Sequence, residues 1–178
     1  GKVWLDGSSV LQTSGTRTFG GGGKKTVSTS VLGGAATMVF DNLTWMGGTM
    51  GYSGSVGGVT TVTGATTLSS ATHYLNYGRT LNLNGDTVWD ANGGLYIYGA
   101  GTGYGESVAN LASGKSMTLA GNASSYDQIY GPGTFNNAGT ITKSGSGIFY
   151  IDSKFNNSGT LSGNKGTTLI RGALNNTG

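Results

Sequence analysis

Two carboxylates, Asp86 and Asp90, lie close together in the chain, with Arg79 upstream and Glu106 downstream. Two carboxyl groups held about 5 to 9.5 Å apart across a cleft can cleave a glycosidic bond, and a nearby basic residue would suit an acidic polysaccharide. The local sequence favours a different role. Asp86 follows Gly85, and Asp90-Ala91-Asn92-Gly93-Gly94 has the composition of a turn, where Asp and Asn bond to their own backbone. Asp86, Asp90 and Asn92 also carry oxygens that suit Ca²⁺. Neither the spacing of an EF-hand loop nor a glycine-rich nonapeptide accompanies them. No catalytic residue, metal site or cofactor is expected.

His73 is the single histidine. A Ser-His-Asp triad would need a serine on a sharp strand-to-helix elbow, and Ser69-Ser70 have no such context. His73 is expected on a half-exposed strand or loop. Gly20-Gly21-Gly22-Gly23 followed by Lys24-Lys25-Thr26 resembles a phosphate cradle only superficially. That motif needs spaced glycines between a strand and a helix, and no helical pattern follows, so a flexible loop is expected. The chain has no cysteine, which excludes disulfides and thiolate metal sites. Its net charge is +3, but the basic residues are scattered and form no footprint for nucleic acid. No apolar run approaches the ~20 residues of a membrane-spanning helix, and no signal peptide is visible.

Surface chemistry is more promising. Tyr96 and Tyr98 alternate with Leu95 and Ile97, so they should face solvent if the two aliphatic residues face in. Tyr104, Tyr126, Tyr130 and Tyr150 are expected to extend that aromatic surface. Exposed phenol rings stack on sugar faces or anchor a protein partner, and they also form packing ladders. Thr87, Thr140 and Thr160 are expected at equivalent positions, with Thr142 matched by Ser162. Flat rows of this kind resemble the ice-binding face of some β-solenoids, but Trp89 and Ser162 interrupt the second column.

These side chains must be positioned by a repeat. Thr134-Phe135-Asn136-Asn137-Ala138-Gly139-Thr140-Ile141-Thr142 returns as Lys154-Phe155-Asn156-Asn157-Ser158-Gly159-Thr160-Leu161-Ser162, and starts again at Ala173-Leu174-Asn175-Asn176. Steps of about 20 residues indicate a solenoid, each repeat forming one coil on the last. Gly is 36 of 178 residues and Pro is 1, and only 10% are charged. With 35% hydrophobic residues that alternate with polar ones, the chain reads as folded and rich in strands. The fold class is all-β, a right-handed parallel β-helix with coils of about 19–28 residues, six to eight in number. Residues 40–178 carry the repeats. Residues 1–39 are expected to be irregular coils or a cap, continuous with the rest as one domain. Phe135, Phe155 and Leu174 should form an interior column. Asn137, Asn157 and Asn176 should stack as an amide ladder, with Asn tolerating a left-handed corner. Gly139, Gly159 and Gly178 should supply positive φ.

The Phe-Asn-Asn-x-Gly-Thr coils resemble repeats of large bacterial surface proteins. So do Arg79-Thr80-Leu81-Asn82-Leu83-Asn84-Gly85 and Leu43-Thr44-Trp45-Met46-Gly47-Gly48-Thr49-Met50. These are the filamentous-haemagglutinin-like and autotransporter-passenger β-helix adhesins, and the resemblance covers roughly residues 40–178. It implies a non-enzymatic, extracellular structural or adhesive segment of a larger bacterial surface or filament-forming protein, with a glycan or cell-surface partner. Both ends fall within a repeat, so a larger parent chain or end-to-end association of copies is expected. The alternatives are a glycan-binding or polysaccharide-processing β-helix, or an ice-binding solenoid.

Overall fold

The structure is a computed structural model. It describes residues 3–5, 10–12, 15–23, 25–28, 30–53, 56–69, 72–90, 93–101, 103–121 and 127–178. Short runs of three or four residues, separated by glycine-rich turns, form three parallel sheets of eight strands each. The first sheet stacks Val3–Leu5, Lys25–Val27, Leu43–Trp45, Thr66–Ser69, Thr87–Asp90, Ser116–Leu119, Thr140–Lys143 and Thr160–Gly163. The second stacks Val10–Gln12, Val31–Gly33, Gly48–Met50, His73–Leu75, Gly94–Ile97, Asp127–Tyr130, Ile148–Ile151 and Thr167–Ile170. The third stacks Arg17–Phe19, Thr37–Phe40, Val59–Val62, Thr80–Leu83, Val108–Leu111, Thr134–Asn137, Lys154–Asn157 and Leu174–Asn176. Each coil contributes one strand to each sheet. The chain therefore returns to a parallel neighbour by way of the two other sheets, where most parallel folds need a crossover helix. This is a parallel β-helix.

The register supports the interior column. Phe135 pairs with Phe155, and Phe155 with Leu174. Ile141 pairs with Leu161 and Ile151 with Ile170. The Phe135 and Phe155 rings lie 6.2 Å apart. Leu174, on the last strand, is 52% exposed. Coil length varies more than the sequence suggested. Thr26 pairs with Thr44, a step of 18 residues. Thr87 pairs with Met117 and Leu95 with Ile129, steps of 30 and 34. The N-terminal stretch, expected to be irregular or a cap, supplies strands to all three sheets from Val3 onward. Lys25, expected in a flexible loop, begins a strand and is buried. Its ammonium contacts one oxygen of Asp41 while Gly22 N–H donates to the other at 2.7 Å. The Lys25 hydrogen bond, then that of Gly22, holds the Asp41 carboxyl below its ordinary pKa. Lys24 lies outside the described residues.

Two asparagine ladders run along the third sheet. The inner one joins Asn137 Nδ2 to Asn157 Oδ1 at 2.6 Å and Asn157 Nδ2 to Asn176 Oδ1 at 2.7 Å. It continues a column that is apolar in the earlier coils, through Phe19, Phe40, Val62, Leu83 and Leu111. The outer one runs from Asn156 to Asn136, Asn110 and Asn82, each bond 2.8 Å. Buried amides so paired satisfy one another, where a lone one would be costly. The asparagines do not sit in left-handed corners. Among the described residues Tyr77 is the one non-glycine with positive φ, at 57°. Gly139 and Gly159 are required for closeness instead: a Cβ at Gly159 would sit 2.0 Å from the Gly139 carbonyl oxygen.

His73 is on a strand, as expected, but fully buried. Its ring meets Trp45 edge to face at 4.8 Å and Trp89 at 6.3 Å. Nε2 lies 2.8 Å from the Trp45 carbonyl oxygen and Nδ1 3.4 Å from that of Gly94. Burial lowers its pKa, and those carbonyls oppose the shift in part.

Candidate functional site

The tyrosines expected at the surface converge, and the reason is a local change in coil length. Leu95 and Ile97 are buried, so Tyr96 points outward between them. Register then places Tyr74, Tyr96 and Tyr130 in one outward column on three successive coils. The connection from the second sheet to the third takes four residues, 76–79, in the coil before, and three, 131–133, in the coil after. In the coil between it takes ten, 98–107. The extra length projects as a loop. Its base is closed by Ser107 N–H donating to the Tyr98 carbonyl at 2.8 Å, and its tip by a bridge between Gly101 and Tyr104.

Between this loop and the neighbouring coils lies a concavity of about 440 Å³, lined by Tyr77, Tyr96, Tyr98, Tyr104, Pro132 and the backbone of residues 99–101. The rings form two pairs. Tyr96 and Tyr98 have centroids 4.4 Å apart at 56°, and Tyr77 and Tyr104 4.9 Å apart at 82°. Tyr130 meets Tyr96 edge to face at 4.7 Å from the outer side. Tyr98 is 42% exposed and Tyr74 37%. Partial burial, then the neighbouring phenols, raises the Tyr98 pKa above its ordinary value, so the ring stays neutral well past physiological pH. Gly99 packs on Pro132 too closely for a side chain, its would-be Cβ lying 2.9 Å from the proline. Tyr77 holds its left-handed backbone at the pocket wall. Such strain costs about 1–3 kcal/mol and concentrates at ligand-binding positions.

Of the expected binding residues, Tyr96, Tyr98 and Tyr104 are brought together. Tyr150 is not. It pairs in register with Gln128 and Leu169, one column away, and lies under the Arg171 guanidinium at 4.3 Å. Arg171 in turn grips Asp152 through two hydrogen bonds, 2.8 and 2.5 Å. Tyr126 lies outside the described residues. Sequence reasoning missed Tyr74, Tyr77 and Pro132. The signals were the Tyr77-Gly78 pair at a turn and the long interval before Val108, neither of which marks a pocket by itself.

The carboxylates do not converge. Asp86 accepts bonds from Ser116 N–H at 2.9 Å and Ser116 Oγ at 3.0 Å, beside the first sheet. Those bonds, backbone first, hold its pKa low. Asp90 ends a strand, exposed, rather than occupying a turn. Asn92 lies outside the described residues. Glu106 belongs to the approach to the third sheet. It accepts from Thr134 and from Lys154 at 3.3 Å, and its pKa is lowered chiefly by Thr134. Arg79 is buried and bonded to backbone. Among the described residues no group of three or more His, Cys, Asp or Glu side chains could hold a metal ion. No described helix is long and apolar enough to cross a membrane. The threonine rows are also revised: Thr87 faces inward and pairs with Met117, whereas Thr140 pairs with Ser116 and Thr160.

Fold and site together define a parallel β-solenoid with an aromatic pocket on its flank. The chain matches no family model, no curated protein and no solved structure.

Proposed function

We propose that the chain is a non-enzymatic structural and adhesive segment of a larger bacterial extracellular protein. The solenoid holds its shape because each coil is bonded to its neighbours along three sheets, so a surface feature on one flank is presented on a stiff support. The observation that carries the adhesive reading is the clustering of four tyrosines around an open concavity built by the ten-residue connection 98–107. Exposed aromatic clusters of this kind are uncommon on surfaces that bind nothing. End-to-end association of copies belongs to the same reading.

The test is adhesion of the labelled chain to intact cells and to arrayed cell-surface glycans. The double variant Tyr96→Ala with Tyr98→Ala should lose most of the binding, and Tyr150→Ala should keep it. Equal binding by all three proteins would remove the tyrosine surface from the account. No binding to any cell or glycan would remove adhesion itself.

A further inference from the structure

We infer that the tyrosine pocket is a site for a quaternary ammonium group, of the trimethylammonium type carried by choline. The inference rests on the adhesive reading above only for its biological setting. Its chemistry stands on the lining.

A sugar that stacks on an aromatic ring still has a rim of hydroxyls, and each must find a hydrogen-bond partner when it leaves water. Sites for sugars therefore place carboxylates, amides or guanidinium groups beside the ring. Among the described lining residues no such side chain occurs: the side chains are four phenols, an alanine methyl and a proline ring, so a sugar would find only phenol hydroxyls and the backbone of residues 99–101. A trimethylammonium group has the opposite needs. It carries charge but no N–H to satisfy, and its methyl surface is apolar. It is attracted to the negative faces of aromatic rings and gains most where several rings surround it. Tyr96 with Tyr98 and Tyr77 with Tyr104 supply rings in steeply different planes, at 56° and 82° within each pair, as a roughly spherical cation requires. No described lysine or arginine lines the pocket to repel it. The left-handed Tyr77 fixes one wall of the site before any ligand arrives, so less ordering remains to be done on binding.

The probe is choline chloride titrated into the full chain, followed by the tyrosine ring resonances and by calorimetry. The control is 3,3-dimethylbutan-1-ol, which has the same shape with carbon in place of nitrogen and no charge. Choline should bind saturably, and the neutral isostere about tenfold or more weakly. Tyr98→Leu and Tyr104→Leu keep apolar bulk but remove a π face, and each should weaken choline about tenfold. Tyr98→Phe, which keeps the face, should stay within about threefold, and Tyr150→Ala should be unchanged. Tyr98 is well exposed, so its variants should keep the wild-type thermal transition.

Equal affinity for choline and the isostere would overturn the proposal. So would binding unaffected by Tyr98→Leu, or a neutral methyl glycoside occupying the pocket while choline does not. If choline fails while cell adhesion still depends on Tyr96 and Tyr98, the ligand is wrong and the adhesive reading stands. If choline binds as expected and the chain adheres to nothing, the adhesive reading falls alone. Phosphatidylcholine vesicles form the last arm: their capture alongside free choline assigns the group to a lipid headgroup, and choline binding without capture assigns it to a soluble or polymer-borne form.

Discussion

Arg79→Met should destabilise the solenoid by about 3 kcal/mol, and the size of that loss follows from two opposing effects. Arg79 is fully buried. Its Nε donates to Thr60 Oγ1 at 2.9 Å, Nη1 to the Gly34 carbonyl at 2.9 Å and Nη2 to the Val59 carbonyl at 3.2 Å. Burial pulls its pKa from 12.5 down to about 10. At 1.36 kcal/mol per pH unit, that displacement is a cost of about 3.4 kcal/mol against the charged form. Hydrogen bonds from a charged donor contribute roughly 1.5–3 kcal/mol each. Three of them exceed the cost by about 1–6 kcal/mol, with a centre near 3. Methionine fills a similar volume and offers no donor, so it would relieve the desolvation but remove the bonds to Thr60 Oγ1 and to the Gly34 and Val59 carbonyls.

The assay is urea unfolding followed by the fluorescence of Trp45 and Trp89, both in the core. With an m-value of about 2 kcal/mol per molar, the midpoint should fall by about 1.5 M. Amide exchange should rise first around Gly34, Val59 and Thr60, which the guanidinium ties together across coils. Arg79→Lys keeps the charge but has one nitrogen in place of three, and should fall between wild type and Arg79→Met. An Arg79→Met protein as stable as wild type, or more so, would refute the reasoning. It would mean that desolvation outweighs the hydrogen bonds, as when a buried ion pair is replaced by well-packed apolar residues.

Two further outcomes are expected. Burial lowers the His73 pKa, so the unfolded chain takes up a proton below pH ~6.5 that the folded chain resists. The resulting stability is fully present above that pH and lost below it by up to about 1.4 kcal/mol per pH unit. Melting temperatures at pH 7.5 and 5.0 should therefore differ more for wild type than for His73→Gln; an equal drop in both would discard the idea. Asp41, Asp86 and Glu106 have lowered pKa values, so their losses belong below their unfolded values near pH 4. Phe155→Ala should cost about 3–5 kcal/mol because its ring is enclosed between coils. Leu174→Ala should cost about 1 kcal/mol because the side chain is half exposed. A loss at Phe155 as small as that expected at Leu174, measured by urea denaturation, would contradict the column.

The sequence carried the period and the inward residues plainly, because alternation and repetition are both local patterns. Phe135, Phe155 and Leu174 could be aligned without coordinates. What it carried poorly were groups whose partners lie one or two coils away. Arg79, Lys25 and Lys143 are all buried, and nothing in the local sequence marks them as core residues. Lys143 donates to the carbonyls of Gly121 at 3.1 Å and Gly145 at 2.6 Å. Carbonyls at coil corners lie outside the regular ladders and need donors. Arg79 and Lys143 supply them from within. Nothing in the spacing of a lone basic residue reveals such a partner. Thr87 was misaligned for a related reason: the 30-residue step to Met117 breaks the count that worked at the C-terminal end.

The same break makes the pocket. In a solenoid of equal coils every outward column is a smooth ridge, and like stacks on like with no hollow wider than the strand spacing of about 4.8 Å. A concavity needs neighbouring coils of unequal length. Here the ten residues 98–107 stand beside connections of four and three. The taller coil supplies Tyr98 and Tyr104, and the shorter ones supply Tyr77 and Pro132 below and above. Shortening 98–107 to the length of its neighbours should therefore spare the three sheets and abolish the pocket. Repetition builds the support, and the departure from repetition builds the site, which is why a reading tuned to the period found Tyr96, Tyr98 and Tyr104 but neither Tyr77 nor the space between them.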